Sequence, residues 1–271
     1  MTSSMTLVQL QNWLGQVEML CAEVGAFQMQ HWQAVKSQDI ADKGLNQLVS
    51  FVDKESEQRL MEGLAAILPG SCFIGEEFNP DSVLTDQPTW IIDPLDGTTN
   101  FLHGLPVFAV SVALWDSGDT QLGVVHAPAM GETFTAVRGG GARLNGKPLV
   151  LEGEVPLSQS LIATGFPYYD FDKMAPYLEL LSDLMRGTHG LRRMGSAAID
   201  LAYTAAGRFD AFYEMGLAPW DVAAGALIVE EAGGFVSNFS GGHQVLFQRE
   251  IVAAHPSLSR AFLQRVSDKL G

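Results

Sequence analysis

The residues best suited to chemistry sit together in the run Asp93-Pro94-Leu95-Asp96-Gly97-Thr98-Thr99-Asn100. Two carboxylates three residues apart, with the Leu95 carbonyl between them, offer oxygen ligands to a hard cation. Gly97 permits a sharp turn, and Thr98-Thr99-Asn100 reads as the opening of a helix. Free N–H groups at such an opening, together with bound cations, would hold a phosphate. Taken alone, an Asp-Pro-x-Asp-Gly run is more often a strand–turn–helix corner in which the acids merely cap. Other acids bear on the choice: Glu76 and Glu77 after Gly75, Asp53, Glu214, and Asp221 in Pro219-Trp220-Asp221-Val222-Ala223-Ala224-Gly225. Seen singly, Asp53 and Asp221 read as helix caps, Glu76 and Glu77 as solvated loop acids, and Glu214 as the end of a strand.

The surrounding pattern predicts what positions them. Trp90, Ile91 and Ile92 form an apolar run, a buried strand expected to end at Asp93 because Pro94 has no N–H for a ladder. Upstream, Leu7, Leu10, Leu14, Val17, Leu20, Cys21 and Val24 fall near helical spacing and predict one long helix or two over residues 6 to about 37. Asp39 to Asn46 is polar with a glycine, a loop or hairpin, and Leu48 to Val52 is a short apolar segment. Asp53 falls at the N-cap of a helix carrying Leu60, Leu64, Ile67 and Leu68 on one face, stopped by Pro69-Gly70. Cys72 to Gly75 is a short strand that ends in Glu76-Glu77. Strands over 107–115, 122–126 and 132–137, followed by an Asn145-Gly146 hairpin turn, recur too closely for a strict βαβ repeat.

Glu152 to Leu157 is the least structured join. It divides a single domain, 1–271, into halves of about 1–153 and 154–271. The second half predicts a strand over 160–165, helices over 172–186 and 195–206, and a strand over 210–213 ended by Glu214. A last strong helix runs from Pro219 to Ala232, opened by Asp221 as N-cap and stopped by Gly233-Gly234. Ala223, Ala224 and Gly225 would let its first turn lie close against another backbone.

Composition narrows the class. Hydrophobic residues make up 47% of the 271 and charged residues only 17%, which excludes a disordered chain. The net charge of −15, from 31 acids against 16 bases, argues against a nucleic-acid or anionic-membrane partner. Bound divalent cations would reverse that sign locally for an anionic substrate. Cys21 and Cys72 form neither a disulfide framework nor a metal-ligand spacing. No signal peptide and no run of ~18 apolar residues is visible, so a soluble cytoplasmic protein is expected.

Gly75-Glu76-Glu77, Trp90 to Phe101 and Trp220 to Gly225 resemble, in order and spacing, the motifs of the inositol monophosphatase family of metal-dependent phosphatases, from about residue 8 to 265. The resemblance implies an α/β fold, the layered α-β-α-β-α sandwich shared with fructose-1,6-bisphosphatases, commonly as a homodimer. It carries over Glu76, Asp93, the Leu95 carbonyl, Asp96 and Asp221 as metal ligands, and two or three Mg²⁺ per subunit with sensitivity to lithium. Asp53 and Thr98 match the water-activating dyad, with Glu76 counted beside them in catalysis. Gly97 and Thr98 would hold phosphate by their backbone, and Glu214, Gly195 and Ala197 would meet the substrate. Two places depart from the family pattern: many relatives carry Asp near Gln47, and Lys43-Gly44 lies one residue out of register with the lysine of the family's metal loop.

The chemistry agrees with that implication. Converging carboxylates repel unless cations lie between them, and an all-oxygen set without a His or Cys group suits Mg²⁺ rather than zinc. One cation would acidify the attacking water and another would steady the leaving alkoxide, with no residue calling for a phosphoenzyme. The Thr98-Thr99-Asn100-Phe101 version of the motif resembles the branch acting on phosphates of small polyols, inositol 1-phosphate first among them. The alternatives are 3′-phosphoadenosine 5′-phosphate, histidinol phosphate or a sugar bisphosphate. A different class of reading is a protein that keeps the site but works by binding a macromolecular partner; the complete set of acids favours an enzyme.

Overall fold

The computed structural model of the chain describes residues 5–34, 40–44, 47–168 and 171–271, with backbone alone for 40–44 and 47–49. It opens with helix α1 (Leu7–His31), capped by Thr6 and Gln9 in a reciprocal pair of bonds. The helix stops at Trp32, well before residue 37 where the apolar spacing carried it, and Gln33 adopts a left-handed φ of 66°. A hairpin follows, β1 (Ile40–Gly44) against β2 (Gln47–Ser50), antiparallel. Asp39, Asn46 and the side-chain comparisons at Lys43 and Gln47 lie outside the described residues. Helix α2 (Phe51–Ile67) starts at Ser50, so Asp53 is its third residue and not its cap.

A seven-stranded sheet takes the next stretch in the order β3 (Cys72–Gly75), β4 (Thr89–Asp96), β5 (Ala109–Asp116), β6 (Asp119–Ala127), β7 (Glu132–Val137), β8 (Gly141–Leu144) and β9 (Lys147–Leu149). Short helix α3 (Thr98–Leu102) bridges β4 to β5. Strand β4 does not stop at Asp93. It runs through Pro94 to Asp96, because Asp93 pairs with Ser111 and Asp96 with Ala109, leaving one extra residue on β4. A bulge is where a strand tolerates proline, since the missing N–H falls where pairing lapses anyway.

The second half builds β10 (Leu161–Thr164), α4 (Met174–Gly187), β11 (Gly190–Arg192), α5 (Ala197–Ala205), β12 (Ala211–Met215), α6 (Pro219–Glu231), β13 (Phe235–Ser237), β14 (Glu250–Ala254) and α7 (Ser259–Leu270). Its five strands form one sheet in the order β11-β10-β12-β14-β13. Glu214 lies inside β12 rather than beyond its end. Helices and sheets alternate in layers. Residues such as Val17, Cys21 and Leu64 of α1 and α2 bury against Trp90, Val112 and Val124 on one face of the large sheet. On its other face, α5 and α6 fill the middle layer with Ala198, Leu201, Ala224 and Leu227, against Ala113 and Phe134 on one side and Phe212 and Ala253 on the other. Tyr177 and Leu180 of α4 and Phe262 and Val266 of α7 close the outer face of the small sheet. The result is the α-β-α-β-α sandwich.

The middle layer is tight for a stated reason. A Cβ on Gly123 of β6 would lie 3.0 Å from the backbone of Ala224, and one on Gly225 would lie 2.6 Å from Leu201. Glycine at both positions lets α6 press against β6 and α5, and α6 carries Asp221 at its leading end.

Candidate active site

The acids reach the site from several elements, two of them from β4. Asp93 and Asp96 flank the bulge of β4, where Asp93 accepts the Leu95 N–H at 2.9 Å. Asp221, the third residue of α6, turns back to accept the Ala218 N–H at 2.6 Å, so Ala218 and not Asp221 is the capping position. Carboxylate oxygens of Asp93, Asp96 and Asp221 lie within 4.8 Å of one another. Glu76, just past β3, lines the same cavity half-buried, with the Leu95 backbone beside it. The cavity measures about 640 Å³, within the range of small-molecule sites.

Asp96 is held from across the molecule. Its Oδ2 accepts both the Ser196 hydroxyl at 2.6 Å and the Ala198 N–H at 2.7 Å, which seats it on the N-terminus of α5. The Ser196 oxygen in turn accepts the Ile199 N–H at 3.3 Å, capping that helix. Gly195 and Ala197 line the cavity on either side of it. The sequence reading named those two neighbours and missed Ser196, although a Gly-Ser-Ala-Ala run is an N-cap signal.

Thr98 forms the other arm. Its hydroxyl lies 2.9 Å from Asp53 Oδ1 and 3.0 Å from the Leu95 carbonyl, so its single proton is shared between two acceptors. Asp53 Oδ2 accepts the Ser50 N–H at 2.8 Å and the Ser50 hydroxyl at 2.7 Å. A capping box at the start of α2 thus fixes the carboxylate that faces Thr98. Gly97 turns the chain between Asp96 and Thr98 with φ 93°, and any Cβ there would meet the Val107 carbonyl at 2.8 Å. Asn100 ties this corner down, donating to the carbonyls of Val107 at 2.7 Å and Met194 at 2.9 Å.

The outer wall joins Glu214, which the resemblance implied, to three residues that were not anticipated, Phe166, Tyr168 and Arg193. Glu214 enters the cavity through space that only a glycine at 165 leaves, since a Cβ there would fall 1.8 Å from its carboxyl. Phe166, Tyr168 and Arg193 complete the wall, the guanidinium standing 5.1 Å from the Tyr168 ring and 5.7 Å from Phe166. Among the described residues, Arg193 is the one cationic side chain lining the cavity.

Electrostatics show what the cluster lacks. Burial, then the charges of Glu76, Asp96 and Asp221, hold the Asp93 carboxyl well above the usual carboxylate range. Burial and Asp221 push Asp96 up to about 7, against the opposing pull of Ser196, Ala198 and Arg193. Burial takes Asp221 to about 6, and burial with Asp221 and Asp96 takes Glu214 to about 8. Burial also raises Asp53, less the help of Ser50 and Thr98. Crowded acids of this kind relax when a cation neutralises them, and an all-oxygen donor set fits a hard divalent ion.

A layered α/β sandwich with converging carboxylates at its strand ends and helix starts has the architecture of a metal-dependent hydrolase. The family comparison makes the class specific: the inositol monophosphatase family model matches residues 9–270, and the chain belongs to that family, one of phosphatases. An inositol-1-monophosphatase of Mesorhizobium japonicum is 43% identical over 87% of this chain and 89% of its own. The Nus factor SuhB of Pseudomonas aeruginosa is 44% identical over 85% of this chain and 87% of its own. Among solved structures, the inositol monophosphatase of Thermotoga maritima superposes with a TM-score of 0.84 at 34% identity, covering 93% of this chain and 96% of that one.

Proposed function

We propose that the chain hydrolyses the phosphate monoester of a small polyol, with inositol 1-phosphate as the leading substrate, by direct attack of water in a Mg²⁺-dependent site. The observation that supports it most is the meeting of Asp93, Asp96 and Asp221 within 4.8 Å, beside a Thr98–Asp53 pair bonded at 2.9 Å. Glu76, Asp93, the Leu95 carbonyl, Asp96 and Asp221 would hold the ions. Bound divalent cations supply a more acidic water and charge neutralisation at the phosphate.

The chain's own groups do the rest. Thr98 shares its proton between Asp53 and the Leu95 carbonyl, which leaves its oxygen lone pairs free to accept a proton from the attacking water. Burial makes Asp53 a better final acceptor than an exposed carboxylate, and Ser50 keeps it aimed. The N–H groups of Gly97 and Thr98 would steady phosphate oxygens, while Glu214, Gly195 and Ala197 face the leaving group. Ser196 lines the cavity, but its hydroxyl is committed to Asp96 and Ile199, which supports water as the nucleophile.

The test is a phosphate-release screen over inositol 1-phosphate, histidinol phosphate, fructose 1,6-bisphosphate and 3′-phosphoadenosine 5′-phosphate. Turnover should require Mg²⁺, vanish in EDTA and fall with Li⁺; full turnover in chelator would overturn the metal-dependent reading. Relatives named Nus factor SuhB support a second reading, in which a macromolecular partner is bound as well. A pull-down and an activity assay on one preparation separate the two. The family resemblance also supports a cytoplasmic homodimer, which sedimentation would check.

A further inference from the structure

Glu57 has no role in the reaction as described so far, yet it is a fully buried carboxylate one helical turn after Asp53. Its Oε2 accepts the Glu77 N–H at 2.7 Å and its Oε1 accepts the Phe78 N–H at 3.1 Å. These are the two peptide groups that follow Glu76. Gly75, immediately before Glu76, leaves the space the carboxylate fills: a Cβ there would fall 2.3 Å from Glu57 Oε1 and 2.8 Å from its Cδ. Glu57 therefore bonds the chain just after Glu76 and packs against it just before.

Burying a carboxylate is costly, and a neutral acceptor would satisfy an N–H more cheaply. What the carboxylate adds is two charge-assisted bonds from one rigid plane, which fix a turn more firmly than a single neutral bond. The turn needs fixing because β3 is a four-residue edge strand, and Glu76 stands just past its end. Asp53 and Glu57, four residues apart on one face of α2, then divide the labour: Asp53 bonds Thr98 after β4, and Glu57 bonds the turn after β3.

We propose that Glu57 is a positioning residue, holding the Glu76 turn so that the Glu76 carboxylate is presented to the cation cluster. The proposal rests on the metal-dependent phosphatase reading. In Glu57→Gln the amide oxygen keeps one N–H partner, while its NH₂ group faces the other N–H. Mg²⁺ affinity measured by calorimetry should fall roughly 10–100-fold, the usual cost of losing an outer support of a metal ligand. The Mg²⁺ concentration for half-maximal turnover should rise in the same ratio, with kcat at saturating Mg²⁺ largely recovered. In the metal-free protein, the Glu77 and Phe78 amides should exchange hydrogen faster, while the Ser50 amide held by Asp53 stays protected. Gly75→Ala, which crowds the carboxylate without altering it, should reproduce both effects.

Wild-type Mg²⁺ affinity in a folded Glu57→Gln protein would overturn the proposal, whatever the amides do. So would a loss of the folded state in both variants, which would make Glu57 a packing group. Absence of Mg²⁺ binding and turnover in the unaltered protein would instead overturn the phosphatase reading itself.

Discussion

The Asp96 and Asp221 side chains each use one oxygen for the protein and keep the other for the cluster. Asp96 takes both its bonds on Oδ2, from Ser196 and Ala198, and Asp221 takes the Ala218 N–H on Oδ2. An asparagine can place its carbonyl oxygen on those donors and retain the bonds, but its NH₂ then faces where a cation would sit. Asp96→Asn and Asp221→Asn should therefore fold normally and lose at least about a hundredfold in activity, since even outer-shell losses cost roughly 10–100-fold. Because both empty one site, the double variant should be little worse than either single. Calorimetric metal affinity beside turnover checks this, and near-wild-type single variants would return both acids to plain capping. Thr98→Ala removes a hydroxyl that bonds Asp53 and the Leu95 carbonyl but none of the Asp93, Asp96 and Asp221 carboxylates. It should leave Mg²⁺ affinity nearly intact and lower kcat by roughly 10²–10⁴-fold, the scale of general acid–base help. A collapse of metal affinity with kcat preserved would make Thr98 a structural corner.

Elements matter here by how closely they approach. Helix α6 brings Asp221 to the cluster only because Gly123 of β6 lets the Ala224 backbone come close. Gly123→Ala puts a Cβ 3.0 Å from backbone atoms, which cannot swing aside as a side-chain tip would. The expected cost is about 1–3 kcal/mol, the usual penalty of overpacking. A displaced α6 should weaken Mg²⁺ binding as well, read from the denaturation midpoint and from calorimetry on the same variant. Unchanged stability and affinity would show that the layer has slack. The β4 bulge works in the same way, since the extra residue between Asp93 and Asp96 sets where each carboxylate leaves the sheet.

For the whole molecule, the acid cluster sets stability against pH. Glu214 at about 8, Asp96 at about 7 and Asp221 at about 6 all stand above the unfolded carboxylate range. The folded chain thus binds more protons than the unfolded one through that window, and the sign follows: without metal, stability falls as pH rises from about 5 to 8. Tm in EDTA should drop across that interval. Mg²⁺, which replaces the protons, should raise Tm more at the alkaline end than at the acid end. The net charge of −15 works in the same direction, but added NaCl screens exposed charges and leaves the buried cluster's share in place. A metal-free Tm that rose with pH would contradict the assignment of those acids as crowded and buried. Among the described residues, no helix is long and apolar enough to cross a membrane.

Local order was legible from residue types alone. The Trp90-Ile91-Ile92 strand, the helix ahead of Gly233-Gly234 and the Asn145-Gly146 turn each follow from short-range patterns, and the three acidic motifs marked the family. What sequence spacing could not supply was partnership between distant residues. Asp53 and Asp221 each read as a cap because a cap is the commonest local use of such an acid. Their actual use, three residues into the helix and turned toward the site, depends on Thr98 and on the β4 bulge lying opposite. Pro94 ended the strand by local rule, whereas pairing with β5 carried it on to Asp96. Glu57 and Arg193 carried no signal strong enough to single them out, and the N-cap signal at Ser196 said nothing of Asp96, since their role lies in what they face across the layers. Backbone preference acts over a few residues and is written in the chain; convergence of carboxylates from β4, α6 and the end of β3 exists only once two sheets have closed on a common helical layer.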